Sequence, residues 1–207
     1  MKPALKHGLN YSMFIFIICC FSTAAWATRV ETQLQSVPQL IKALQSGGHI
    51  IYMRHGATDH KQKDSKRSDM YNCKTQRNLS VQGIQESKKI AQAIKSLAIP
   101  IGKVFSSPYC RTRDTAKIIY KDSIIVDELQ FSISKNKQES ERLGKHLYEM
   151  MWETNNTKTN TVFVSHSSNL KDGLDIWPKP EGVAVIFKKS RTGLIYKGMI
   201  TPDAWPE

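Results

Sequence analysis

Residues 49–58 read His49-Ile50-Ile51-Tyr52-Met53-Arg54-His55-Gly56-Ala57-Thr58. The run His49 to Met53 is short, apolar and β-branched, which reads as a buried strand, and Arg54 and His55 follow it directly. Two later stretches repeat this arrangement. Ser106-Ser107-Pro108-Tyr109-Cys110-Arg111-Thr112-Arg113-Asp114-Thr115-Ala116 follows the strand-like Lys103 to Ser106, and Ser165-His166-Ser167 ends the apolar strand Thr161 to Ser165. An open α/β sheet forms its ligand crevice at the carboxyl ends of its strands. Three such segments therefore direct two histidines and two arginines toward one crevice.

Working outward, helical patterns separate the strands. Ser36 with Pro38 reads as a helix start, with Leu40, Ile41 and Leu44 as its apolar stripe and Gly47-Gly48 as its end. Residues 56–78 are polar, charged and without period, longer than an ordinary connection. Ser80 caps a helix with Val81, Ile84, Ala91, Ile94 and Leu97 at helical spacing, which stops at Pro100. Thr112 to Tyr120 is helix-like, Ser123 to Val126 strand-like, and Gln138 to Thr154 helical with Leu143, Leu147, Met150 and Met151 along one side. Val183 to Phe187 with Leu194 to Lys197 reads as a closing hairpin. Strands alternating with helices predict an α/β fold of three layers, a mostly parallel central sheet flanked by helices.

Lys2 and Lys6 precede an uncharged apolar run, Met13 to Phe21, which ends in small residues and Ala25-Trp26-Ala27. This is the pattern of a secretory signal peptide over residues 1–27, expected to be cleaved after Ala27. Residues 28–207 then form one domain, in the periplasm or secreted, without a transmembrane segment after cleavage. The leader carries two of the lysines and no acidic residue, so the formal charge of +12 becomes +10 in the remainder. That balance suits an anionic partner. The basic residues are dispersed, without aromatic interleaving or a recognisable nucleic-acid motif, so phosphorylated small molecules or an envelope glycan fit and nucleic acid does not. Without the leader two cysteines remain, Cys73 and Cys110. An even pair in an exported chain reads as a disulfide, with two separate buried thiols as the alternative.

Guanidinium forks match phosphoryl oxygens bidentately, which suits Arg54 and Arg111 to a phosphate clamp. An uncharged imidazole attacks phosphorus and divides hydrolysis into two steps. A second, protonated imidazole stabilises the transferring group. This set needs no metal or cofactor. A metal site on His55, His166 and a carboxylate is disfavoured, because two neighbouring arginines repel the cation.

Arg54-His55-Gly56 resembles the signature of the histidine phosphatase (phosphoglycerate-mutase-like) superfamily. Ser106-Ser107-Pro108 with Arg111, Thr115 and Ala116 is similar to its second block, Ser165-His166 to its third, and Leu79-Ser80 with Gly83 to its helix opening. The resemblance runs from about Gly47 to Trp205. It implies that His55 is the phospho-acceptor and that Arg54, Arg111 and His166 complete the phosphate pocket. It also places Thr58 where the family often offers a hydroxyl to phosphate, turn capping being the other reading. Cys73 to Ser80 together with Cys110 is similar to small exported members in which those cysteines pair. Arg77 is then a substrate-binding residue or a solvated loop arginine. In size and placement the chain resembles envelope sugar-phosphatases, including those proposed to act on phosphorylated heptose of the lipopolysaccharide core.

The resemblance breaks at the leaving-group acid. The mutase pattern places Glu two residues after a Leu beyond the second block, where Leu129-Gln130-Phe131 has Phe, and Ser167 rather than Asp follows His166. Glu128 and Asp59, with Asp127, are the proton-donor candidates. The expected activity is an exported, metal-independent phosphomonoesterase acting on a sugar-phosphate or phosphorylated envelope glycan. A phosphate-binding or scaffold protein of the same fold with weak turnover is the alternative.

Overall fold

The computed structural model describes residues 1, 30–155 and 157–206, so the expected signal peptide lies almost wholly outside the described residues. Strands β1 (Val30–Thr32), β2 (Ile50–Arg54), β3 (Ile101–Ser106), β4 (Ile124–Ile125), β5 (Asn160–Ser165), β6 (Ala184–Lys189) and β7 (Leu194–Ile200) form one sheet in the order β1-β7-β6-β2-β5-β3-β4. Helices α1 (Val37–Gln45), α2 (Val81–Ser96), α3 (Cys110–Tyr120), α4 (Lys137–Trp152) and α5 (Ser167–Leu174) connect them. β2, β5, β3 and β4 run parallel, as do β1 and β7. Only β6 opposes its neighbours, as the expected hairpin with β7 requires. The sheet is therefore mostly parallel, with helices on both faces.

The burial of β2 shows why. Its side chains alternate between two cores, as the two-residue period of a strand dictates. Ile51 and Met53 join Leu40, Ile90, Ala116 and Val164 under α1, α2 and α3. Ile50 and Tyr52 join Leu147, Met151, Phe163 and Leu170 under α4 and α5.

α1 opens as expected, with Gln39 Oε1 accepting from the Ser36 backbone N–H at 2.9 Å. It ends at Gln45 with Ser46 as its cap, and Gly47 and Gly48 just beyond have φ of +72° and +71°, in the left-handed region. α2 departs from expectation. Its buried face is Gly83, Ser87, Ile90, Ala93 and Ile94, while Val81 is 74% exposed. Close approach to the loop after β2 sets this face, because a Cβ on Gly83 would lie 2.0 Å from the Ala57 carbonyl oxygen. The apolar stripe expected from spacing is thus rotated, and only Ile94 of it is buried in the helix. β1 and α5 were not legible. β1 has three residues with an exposed pattern, and α5 carries Ser167, Ser168 and Asn169 in its buried first turn.

The long connection over residues 56–78 is anchored to α3. Cys73 and Cys110 form a disulfide. Gln76, 2% exposed, accepts from the Cys110 backbone N–H at 2.9 Å and donates to the Met70 carbonyl at 2.8 Å. Tyr109 donates its hydroxyl to the Arg67 carbonyl at 2.8 Å. In protein lacking residues 1–27, thiol titration under denaturing, non-reducing conditions is expected to find no free cysteine. Replacing both Cys73 and Cys110 by Ser should lower unfolding stability by up to about 4 kcal/mol in the chain-entropy model. Urea unfolding of the two proteins checks this. An unchanged midpoint would mean that Gln76 and Tyr109 alone hold the loop.

Candidate active site

β2, β5 and β3 are neighbours in the sheet, and Arg54 pairs with Ser165 while Ser106 pairs with Val164. Their carboxyl ends therefore lie side by side. The backbone places His55 beside β5, its N–H donating to the Ser165 carbonyl at 3.0 Å. Tyr52 donates its hydroxyl to the His166 carbonyl at 2.5 Å. The two imidazole centroids are 5.4 Å apart, edge to face, and both rings are buried.

His55 Nδ1 lies 3.0 Å from the Gly56 carbonyl oxygen. A carbonyl only accepts, so the proton sits on Nδ1 and Nε2 keeps its lone pair. Burial, then Arg111, pushes His55 well below the ordinary histidine value of 6.5; His166 is lowered by the same causes in the same order. Both rings are therefore neutral near pH 7. His166 Nε2 lies 2.9 Å from Ser107 Oγ, and its Nδ1 is buried without a partner in the protein. Thr115 ties the first two motifs together, accepting from the Gly56 N–H at 2.9 Å and donating to the Arg111 carbonyl at 2.7 Å.

Three guanidiniums surround the rings. Arg111, 1% exposed, lies over Tyr109 at 4.8 Å and over Phe131 at 5.3 Å, and pairs with Asp64 at 3.0 Å. Arg54 and Arg77 both pair with Glu181, at 3.2 and 3.3 Å. Thr58 donates its backbone N–H to Glu181 at 2.8 Å and its hydroxyl at 3.0 Å. Two carboxylates thus face three guanidiniums, leaving one unit of positive charge in the cluster. The Nε atoms of Arg54, Arg77 and Arg111 are buried without a partner in the protein. Buried donors are ordinarily satisfied, so this concentration marks a place shaped for an acceptor-rich anion.

Residues 50–130 match the family model for the histidine phosphatase superfamily (branch 1). Over those residues the chain is similar to branch 1 of that superfamily. Solved structures of low identity share this fold. A phosphoserine phosphatase variant from Entamoeba histolytica in complex with phosphoserine is 17% identical with a TM-score of 0.58, over 76% of this chain and 99% of that one. Alpha-ribazole phosphatase from Shigella flexneri is 12% identical with a TM-score of 0.51, over 74% of this chain and 96% of that one. The protein histidine phosphatase SixA complexed with tungstate is 16% identical with a TM-score of 0.50, over 75% and 97%. A search of curated proteins finds no match.

The structure brings together His55, His166, Arg54, Arg111, Thr58 and Arg77, all singled out by the sequence. The proton-donor candidates engage other groups. The Asp59 carboxylate accepts from the Lys61 N–H and the Gln62 amide within its own loop, at 3.0 and 3.3 Å. Asp127 accepts from the Tyr71 hydroxyl at 2.6 Å, and Glu128 stands in the adjoining turn, within electrostatic reach of Arg142 on α4. Among the described residues, no hydrogen bond or ion pair joins Asp59 or Glu128 to His55, His166, Arg54 or Arg111. Phe131, at the position of the mutase Glu, packs 5.1 Å from the His166 ring.

Sequence reasoning missed Asp64 and Glu181. Asp64 lies inside the aperiodic loop, and Glu181 follows Pro178-Lys179-Pro180 without a motif around it. Beside the cluster lies an open cleft of about 740 Å³, whose walls include Ala57, His60, Gln82, Glu86 and Lys179. The cleft and the cluster share Arg54 and Glu181, and neither His55 nor His166 lines the cleft.

Proposed function

We propose that this protein is an exported phosphomonoesterase that passes the phosphoryl group through His55, acting on a sugar-phosphate or a phosphorylated envelope glycan. One observation carries the reading: a neutral imidazole with a free Nε2 stands next to a second imidazole among three guanidiniums whose Nε donors have no partner in the protein. Binding of an anion explains the guanidiniums. A nucleophile is needed only for turnover.

In this reading Arg54, Arg77 and Arg111 hold the phosphoryl oxygens, with Thr58 as a further donor. His55 Nε2 attacks phosphorus and His166 Nδ1 faces the developing charge. A phosphate dianion between the rings favours the protonated form of His166, opposing the burial that keeps it neutral. Positive charge at the phosphoryl group comes from the guanidiniums, and among the described residues no group of three His, Cys, Asp or Glu side chains is placed to hold a metal ion.

Export rests on the leader pattern of residues 1–27 and fits the Cys73–Cys110 disulfide, since such bonds persist in oxidising compartments. Among the described residues no helix is long and apolar enough to cross a membrane. The polar walls of the adjoining cleft, Gln82, Glu86, His60 and Asp203, suit a hydroxyl-rich leaving group. Phe131 on His166 favours a second reading, a phosphate-binding relative without turnover, because it removes the mutase acid from that position.

Hydrolysis of 4-nitrophenyl phosphate with chelator present, followed by an alkaline quench and mass spectrometry, distinguishes the two. Chelator-resistant release with a phosphoryl adduct on His55 is expected. Because burial holds His55 neutral, kcat/KM should not fall with an acid limb at 6.5 but well below it. Tight phosphate binding without release at any pH would select the second reading.

A further inference from the structure

We infer that Glu181 is the acid that protonates the leaving oxygen, a role filled in the mutase pattern from the position that Phe131 occupies here. The inference rests on the phosphohistidine reading above. Three observations carry it.

The first is position. Glu181 belongs both to the guanidinium cluster and to the wall of the open cleft. A phosphate ester seated on Arg54 and Arg77 with its alcohol portion in the cleft has its bridging oxygen at the seam where Glu181 stands.

The second is competition. The Glu181 carboxylate takes four bonds that phosphoryl oxygens would also seek, from Arg54 Nη2, Arg77 Nη2, the Thr58 N–H and the Thr58 hydroxyl. An arriving dianion displaces it from the guanidiniums and confronts it with like charge at short range. Uptake of one proton removes that repulsion, so substrate binding itself loads the acid. Lys179, His60, Glu86 and Asp203 are the other charged or titratable groups on the same cleft wall.

The third is the fate of the other carboxylates. Asp59 is committed to its loop, and Glu128 stands by α4 within reach of Arg142. Asp64 is bound to the buried Arg111 and to the Arg77 N–H at 3.0 Å, and it does not line the cleft.

The step balances. The His55 Nε2 lone pair forms the N–P bond as the P–O bond to the alcohol breaks. The electron pair left on the alcohol oxygen takes the Glu181 proton, leaving a carboxylate and a phosphohistidine that retains its Nδ1 proton. In the second half, water attacks phosphorus and gives one proton back to Glu181. The N–P electron pair returns to His55, and monohydrogen phosphate departs.

The test compares wild-type protein, Glu181→Gln, Glu181→Asp and His55→Ala on a series of aryl and alkyl phosphates of graded leaving-group acidity. Glu181→Gln is expected to lose on the order of 10²- to 10⁴-fold in kcat on alkyl phosphates. Its loss on 4-nitrophenyl phosphate, whose leaving group needs no proton, should be under about tenfold on the same physical ground. Glu181→Asp should recover part of the rate on alkyl phosphates. A uniform loss across the series with the His55→Ala protein inactive would overturn Glu181 as the acid and leave the phosphohistidine reading standing. Undiminished hydrolysis by His55→Ala would overturn that reading and this inference with it. Thermal melting of each variant verifies that the fold is retained.

Discussion

His55→Ala is expected to abolish phosphomonoester hydrolysis, lowering kcat on the order of 10⁴-fold or more, as loss of a covalent nucleophile does elsewhere. The fold should survive. Among the described residues, the one side-chain hydrogen bond of His55 is that of Nδ1 with the neighbouring Gly56 carbonyl, and the backbone bonds that place it, to Ser165 and Gly182, do not involve the imidazole. Steady-state kinetics with circular dichroism and thermal melting check both parts. Wild-type-like turnover by the variant would remove His55 as the phospho-acceptor.

The same variant alters the pH dependence of stability in a determined direction. The folded-state value of His55 lies below the unfolded value near 6.5, so the unfolded chain binds protons more readily. The stability linked to the neutral ring is fully present above 6.5 and is lost as pH falls from there through the lower folded-state value. His166 contributes with the same sign. Urea midpoints of wild-type protein should therefore fall on acidification below 6.5, and His55→Ala should fall less steeply over that window. Equal slopes would mean that folding does not disfavour the charged form of His55.

Arg111→Ala is expected to raise the inhibition constant for inorganic phosphate by roughly 30- to 5000-fold, the equivalent of about 2–5 kcal/mol for a desolvated charge contact. The guanidinium is 1% exposed, so solvent offers little compensation. The substitution also leaves the Asp64 carboxylate, 10% exposed, without its ion-pair partner, which should cost about 3–5 kcal/mol of stability. If the single variant does not fold, Arg111→Ala with Asp64→Asn resolves the matter. Neutralising the orphaned carboxylate should restore much of the stability while phosphate binding stays weak. An unchanged inhibition constant in a folded variant would reject the clamp.

The strand-terminal motifs were legible because their chemistry is carried by residue type and by position after an apolar run. Ile50 to Met53 cannot be solvated, so Arg54 and His55 must emerge at the strand's end, and the same logic holds for Ser165-His166 and for the segment leading to Arg111. The helix faces were less legible. α2 is seated by Gly83 against the Ala57 backbone, a packing that small residues permit and hydropathy does not record. The carboxylates were hardest of all. Glu128 and Asp59 drew notice by proximity to motifs in the chain, whereas Asp64 and Glu181 are joined to the cluster across 47 residues to Arg111 and 127 residues to Arg54.

From the amino-acid order alone, then, follow the alternation of strands and helices, the three-layer α/β architecture and the pairing of two histidines with arginines at adjacent strand ends. These depend on local periodicity and on the rule that apolar strands bury both faces. Tertiary structure alone decided which acidic side chains enter the site. A salt bridge depends on a few ångströms of side-chain placement, and that placement is set by how a 23-residue loop, anchored through Cys73 and Gln76, and the segment before β6 fold over the carboxyl ends of β2, β5 and β3. No short-range pattern encodes such a distance.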